Sequence, residues 1–320
     1  MFIFFNIFVI LNKVILMKKL LMPAILACIG ALIYLNVDKI TNYIVNIINN
    51  NHELIILDSN KYKKDFSYDF VQVSTDYVPY SYHDIVNIFY NIINNGWNSF
   101  TFYCPVEYEE CIGDIKSISN NDTLLTEVNN YANPFNSFES IETLYDDTGE
   151  VTVTLKKTYS SDDIALINQK IDEMFAKVIK DDMSLKDKLL AAHDYIVNNT
   201  KYDTEKNNNG SSKYHSNTAY GVFLEGYATC NGYADAYALV LDRLGVKNYK
   251  VSSKTHIWNG VYYDNEWLHV DLTWDDPVSN DGKDYLYHKY FLVNNEEMKK
   301  EDGDLTDHLF DSKIFQEFKD

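Results

Sequence analysis

Two β-prone runs, 256–263 and 266–274, are joined by Asp264-Asn265, a dipeptide suited to a tight hairpin turn. With a two-residue loop Tyr263 pairs with Glu266, so His256 faces Thr273 and Trp258 faces Asp271. Successive side chains alternate across a strand, which puts His256, Trp258, Asp271 and Thr273 on one face. His256 and Asp271 become diagonal neighbours, with backbones roughly 7–8 Å apart. A four-residue loop would set them directly opposite, and a three-residue loop would send them to opposite faces. The Asp between Val270 and Leu272 carries weight, because a carboxylate on an inward face requires a partner.

A cysteine stands upstream in Gly226-Tyr-Ala-Thr-Cys230-Asn-Gly-Tyr-Ala234. From Cys230 to Leu244 the residues Ala234, Tyr237, Ala238, Leu241 and Leu244 recur at three- and four-residue steps, and Gly245 supplies a stop. The spacing predicts an amphipathic helix with Cys230 in its first turn, where unpaired N–H groups favour a thiolate. Gly232, Ala234, Ala236 and Ala238 let another element approach closely. Cys230 as nucleophile, His256 to take its proton and Asp271 to hold the imidazole are the parts of an activated thiol. Trp258, Trp267 and Trp274 read first as packing on and behind the hairpin. Trp258, on the His256 face, is also a candidate for lining a substrate groove.

Charge narrows the partners. Residues 1–37 hold Lys13, Lys18 and Lys19 and no acid, so the remainder carries 25 bases against 47 acids, a net −22. Such a surface repels phosphate backbones, and nucleic-acid binding is not expected. There is no Cys-x-x-Cys and no histidine spacing suited to zinc, so no metal or cofactor is expected. Asp275 and Asp276 before Pro277 read as a turn rather than a calcium site. Cys104 and Cys111, with six residues between them, could pair on an oxidising side or remain two free thiols.

Three regions are expected: 1–37, an apolar membrane anchor or signal; 38–160, an α+β accessory region; and 161–320, the domain with the cysteine, its leading helices and a C-terminal extension. The run 20–37 follows Met17-Lys-Lys19. As a helix it would rise about 27 Å, nearly the thickness of a hydrocarbon core. Lysines before it and acid-rich chain after it predict a single pass with the bulk of the chain extracytoplasmic, or a secreted protein if the segment is cleaved. Ile25-Leu-Ala-Cys28 is an imperfect lipoprotein box, and residues 1–16 could be a second apolar segment or an upstream extension. In the accessory region a helix is expected over 84–93, a strand at 99–103, a polar helical region over 108–131 and two strands over 140–158 around Asp146-Asp-Thr-Gly149. Ser160 or Ser161 and then Ser184 open helices, and 285–293 reads as a further strand.

The linked motifs Tyr220-Gly-Val-Phe-Leu-Glu-Gly-Tyr-Ala-Thr-Cys-Asn-Gly-Tyr-Ala234, His256-Ile-Trp-Asn259 and Trp267-Leu-His-Val-Asp-Leu-Thr-Trp-Asp-Asp-Pro277 resemble the bacterial transglutaminase-like superfamily over about 184–295. The resemblance takes in His193-Asp-Tyr-Ile, Tyr202-Asp203 and Tyr290-Phe-Leu-Val293. It implies a papain-like α+β core, a nucleophile helix packed on an antiparallel sheet. The chemistry implied is acyl transfer through a thioester, with Cys230 as nucleophile, His256 as general base and acid, and Asp271 as orienter. The expected partner is a peptide or protein substrate, cell-wall peptide included, and the acyl acceptor is water or an amine. The backbone N–H of Cys230 is an oxyanion donor candidate, with Tyr220 as a second. The competing expectation is a catalytically silent wall- or protein-binding module that keeps the fold.

Overall fold

The structure is a computed structural model that describes residues 22–23, 25–50, 54–278 and 285–318. Residues 25–35 are helical, Asn36 forms a turn, and helix α1 follows over Val37–Asn50. No helix among the described residues is long and apolar enough to cross a membrane. The expected span at 20–37 falls partly outside the described residues.

Helix α2 (Tyr82–Asn94) begins where the Ser81 hydroxyl accepts from Asp84 N, satisfying one of the donors a helix start leaves open. Strand β1 (Ser99–Tyr103) lies beyond Gly96, whose φ of +73° suits a residue without Cβ. The expected polar helical region is two helices, α3 (Cys111–Ser119) and α4 (Asp122–Asn130). They separate at Asn120-Asn121 because the Asn121 side chain caps α4 through Leu124 N. Strands β2 (Phe138–Tyr145) and β3 (Glu150–Lys157) form the expected hairpin, and the sheet order is β1-β3-β2, antiparallel. Cys104 and Cys111 form a disulfide that ties the end of β1 to the start of α3.

Helix α5 (Ser161–Val178) starts with a reciprocal capping box between Ser160 and Asp163, and α6 (Leu185–Asn199) is capped by Ser184. Short strand β4 (Lys201–Tyr202) and helix α7 (Thr204–Asn209) precede a π turn at Gly221–Glu225 and strand β5 (Tyr227–Ala228). β5 runs parallel to β4, with Tyr202 opposite Ala228. Helix α8 (Cys230–Arg243) is followed by an antiparallel sheet in the order β6 (Asn248–Ser252), β7 (Ile257–Tyr263), β8 (Glu266–Val270), β9 (Phe291–Val293). Between β8 and β9 lies the one-turn helix α9 (Leu272–Asp275), and α10 (Asn295–Asp302) comes after β9.

The hairpin has the expected register. Tyr263 pairs with Glu266, and Asp264 and Asn265 take φ of 52° and 68°, the left-handed geometry of a type I′ turn. One expectation needs correction: the second strand stops at Val270 rather than Trp274, because the Asp271 carboxylate accepts from Thr273 N and Trp274 N and turns the chain into α9. The strand expected over 285–293 shrinks to Phe291–Val293 for a similar reason. The N–H groups of Lys289 and Tyr290 are held by Asp275 Oδ1 at 2.8 and 3.1 Å instead of joining a ladder.

Alternation sorts the sheet's two faces. Asn259, Val261 and Val270 face α8, where Ala236 and Ala238 let the helix lie close and Asn259 Nδ2 donates to Ala234 O at 2.9 Å. Buried Lys250 reaches across to Asp235 of α8 at 2.7 Å. On the other face Tyr249, Trp258 and Trp267 meet Tyr68, Tyr131, Phe315 and Phe318. One apolar core thus runs across the change of sequence pattern at 160, joining the accessory region to the sheet. Buried Lys64 adds a polar tie, donating to Asn248 O at 2.8 Å beside Asp242.

Candidate active site

Cys230 opens α8 and is half-buried. The preceding Thr229 has N-cap backbone geometry but makes no cap, because its hydroxyl donates to Asn217 Oδ1 at 2.8 Å. The N–H groups that a capping side chain ordinarily takes, those of Asn231 and Gly232, are therefore left without one from Thr229. The segment 215–218 lies directly on this turn. A Cβ built on Gly232 would sit 2.3 Å from Ser216 O, so only glycine permits the approach.

His256 ends the loop before β7, and its Nε2 lies 2.5 Å from Asp271 Oδ2. The Cys230 thiol is the ring's other neighbour, near enough to act on its charge; with Nε2 on Asp271, Nδ1 is left for the sulfur. Burial opposes charge on this imidazole, but the Asp271 carboxylate and then the Cys230 thiol overcome it and raise its pKa to about 10. Burial likewise disfavours the charge on Asp271, and the His256 and His308 rings outweigh it, holding the carboxyl well below its ordinary range. The Oδ1 atom accepts from Thr273 N at 2.8 Å and Trp274 N at 3.3 Å.

The ring of Trp258 stacks on His256 at 5.8 Å and 16° and is 1% exposed, with its Nε1 donating to His269 Nδ1. It forms the wall behind the imidazole. His269 is thereby held in one tautomer, and burial pulls its pKa down to about 4. Tyr220 sits at the start of the π turn with its ring 5.1 Å from that of His215. The open side of His256 is a groove of 400 Å³ lined by Tyr202, Thr255, Trp274, Asp276 and Asp307 among others. Burial, then the charges of Cys230 and Asp271, push the Tyr202 phenol up to about 12, so it remains an O–H donor beside the thiol.

The sequence reading missed Tyr202 as part of the site, along with His308 and Asp302. Tyr202 arrives through the parallel β4–β5 pairing, and nothing local announces that contact. His308 Nε2 lies 2.9 Å from Asp271 Oδ2, the oxygen already held by His256, and His308 Nδ1 lies 2.7 Å from Asp302 Oδ1. A second cluster supports α9 from below, where His193 Nε2 meets Asp275 Oδ2 at 3.2 Å and Asp194 joins His193 and His288. Burial raises the Asp275 pKa, opposed by His193.

Histidine spacing along the chain suggested no metal ligands, yet the fold assembles two groups whose ligand atoms lie within 4.8 Å of one another: His193, Asp194 and His288, and His256, Asp271 and His308. In each, both ring nitrogens meet one shared carboxylate oxygen at hydrogen-bond distance.

Residues 173–272 match the family model described as the Transglutaminase-like superfamily. No curated protein matches the chain. Among solved structures, one titled "Crystal structure of a TGase" aligns at 20% identity and a TM-score of 0.30, over 43% of this chain and 45% of that one.

Proposed function

We propose that this chain, which carries a transglutaminase-like domain at 173–272, is an extracytoplasmic cysteine enzyme. It transfers the acyl group of a peptide or protein amide through a Cys230 thioester. The observation that carries the reading is the His256–Asp271 pair at 2.5 Å beside the Cys230 thiol, set at a helix start without a side-chain cap.

The imidazole beside the thiol is the group that takes its proton, and Asp271 stabilises the charge the ring then carries. Sulfur attacks the amide carbon, and the carbonyl electron pair moves to oxygen. The oxyanion is met by the Cys230 N–H and, from across the groove, by the Tyr202 hydroxyl. His256 gives its proton to the leaving amine as the C–N bond breaks, forming the thioester. It then takes a proton from water or an incoming amine, which attacks the thioester and releases the thiolate. Asp271 keeps the imidazole in the tautomer that presents Nδ1 to sulfur.

The extracytoplasmic location is supported by the Cys104–Cys111 disulfide, a bond that persists on oxidising sides of membranes, and by the lysine-flanked apolar run at 20–37. Cell-surface protein or cell-wall peptide is then the accessible amide. The test is incubation of the full chain with a peptide library, with and without a labelled primary amine. Cleaved or amine-bearing peptides should appear with the wild type and vanish with Cys230→Ala. Identical product profiles for the two proteins would favour a binding module and refute the reading.

A further inference from the structure

We infer that His308, oriented by Asp302, is a positioning residue that holds the Asp271 carboxylate in place for His256. The inference rests on the site assignment above and adds to it a part of the chain beyond the matched stretch, which ends at 272.

The geometry is one of saturation. A carboxylate offers about four lone-pair sites, and those of Asp271 are taken by Thr273 N and Trp274 N on Oδ1 and by the Nε2 atoms of His256 and His308 on Oδ2. The two backbone donors belong to α9 and fix one oxygen. The other oxygen could still swing about that anchor, and His308 is what closes off the swing. The His308 ring cannot turn away, because its Nδ1 is held at 2.7 Å by Asp302, which also accepts from Tyr290 OH at 3.1 Å.

Packing repeats the constraint. The His308 side chain is 1% exposed. Trp258 meets its ring edge-on at 4.9 Å, and Trp274 and Tyr290 lie at 5.2 and 5.0 Å. Trp258 and Trp274 also flank His256, so both imidazoles occupy one aromatic box and reach the same oxygen at a 78° angle between ring planes. A clasp whose only task was to pin the C-terminal segment would have no need of the oxygen that orients His256. Burying a second N–H there has a functional cost unless it sets direction, since it competes with His256 for the same charge.

The test is the rate at which iodoacetamide alkylates Cys230 in the full chain, with glutathione added to the same solution as the reference thiol. His308→Phe should slow Cys230 about tenfold, roughly what one hydrogen bond to a charged group is worth, and His308→Gln, whose amide can still donate, should recover most of the rate. In a His256→Ala background His308→Phe should have no further effect, because it acts through His256. If His308→Phe does not fold, Asp302→Ala removes the acceptor on Nδ1, frees the ring without removing it and should also slow Cys230. An unchanged rate in a folded His308→Phe or Asp302→Ala protein, or equal slowing with and without His256, would overturn the inference alone. A wild-type Cys230 that His256→Ala leaves unaffected would overturn the site assignment as well.

Discussion

Replacing Gly232 by alanine tests the close approach on which the position of Cys230 depends. In an unobstructed helix the change gains about 1 kcal/mol, because glycine loses more backbone freedom on folding. Here the added Cβ would lie 2.3 Å from Ser216 O, 3.1 Å from Ala228 Cβ and 3.2 Å from Thr218 O. The first contact is about 1 Å too short and is to backbone, which cannot rotate aside. Ser216 O also accepts from Thr229 N at 2.8 Å, so pushing the segment away strains the bond next to Cys230. Overpacking costs about 1–3 kcal/mol and a weakened hydrogen bond about 1 more. After the propensity gain the net loss is about 1–3 kcal/mol, a fall of roughly 1.5–4.5 °C in Tm for a chain of this length. The control is Gly113→Ala in α3, where a Cβ meets nothing within 4 Å and only the propensity gain remains. Melting both variants by circular dichroism should therefore give shifts of opposite sign, and Gly232→Ala should also slow alkylation of Cys230 relative to the wild type. A rise in Tm for both would refute the packing argument.

Asp271→Asn keeps the shape but turns an amide N–H toward one of two ring nitrogens that now donate to it. Turnover should fall by about 10⁴, the effect of a wrong imidazole tautomer in a related triad, as read by product formation from any peptide the wild type accepts. The raised pKa of His256 fixes a pH dependence. A proton bound more tightly in the folded than the unfolded protein stabilises fully below about pH 6.5 and is lost as pH rises through about 10. Tm should thus decline over that window in the wild type and more gently in His256→Ala, and parallel curves would contradict the Asp271 contact. Reducing the Cys104–Cys111 bond, whose ends are separated by 7 positions, should cost about 2–3 kcal/mol by loop entropy, measured as the shift in urea midpoint with reductant.

Much of the site was legible because its logic is local. Asp264-Asn265 carries the turn, and the turn carries the register. From the register it follows that His256 and Asp271 share a face, and the structure joins them at 2.5 Å. The helix from Cys230 was equally readable from the three- and four-residue recurrence of its apolar residues, but the fold buries every residue over 232–241 rather than one stripe. Strand ends were less legible. Alternation continues past Val270 in the sequence, but a carboxylate that captures two N–H groups bends the chain there.

By itself, then, the sequence determined the hairpin, the helix that opens at Cys230 and the shared face of imidazole and carboxylate. Periodicity and turn chemistry act between neighbours and leave their mark in spacing. Only the tertiary structure decided what surrounds that face. His308 lies 37 positions from Asp271 and Tyr202 lies 28 before Cys230, and no repeat or cap links either pair. Those contacts depend on how β4 meets β5 and how the chain after α10 folds back over Trp258 and Trp274. Such packing comes from long-range burial, which constrains volume and polarity at a site without encoding which distant residue supplies them.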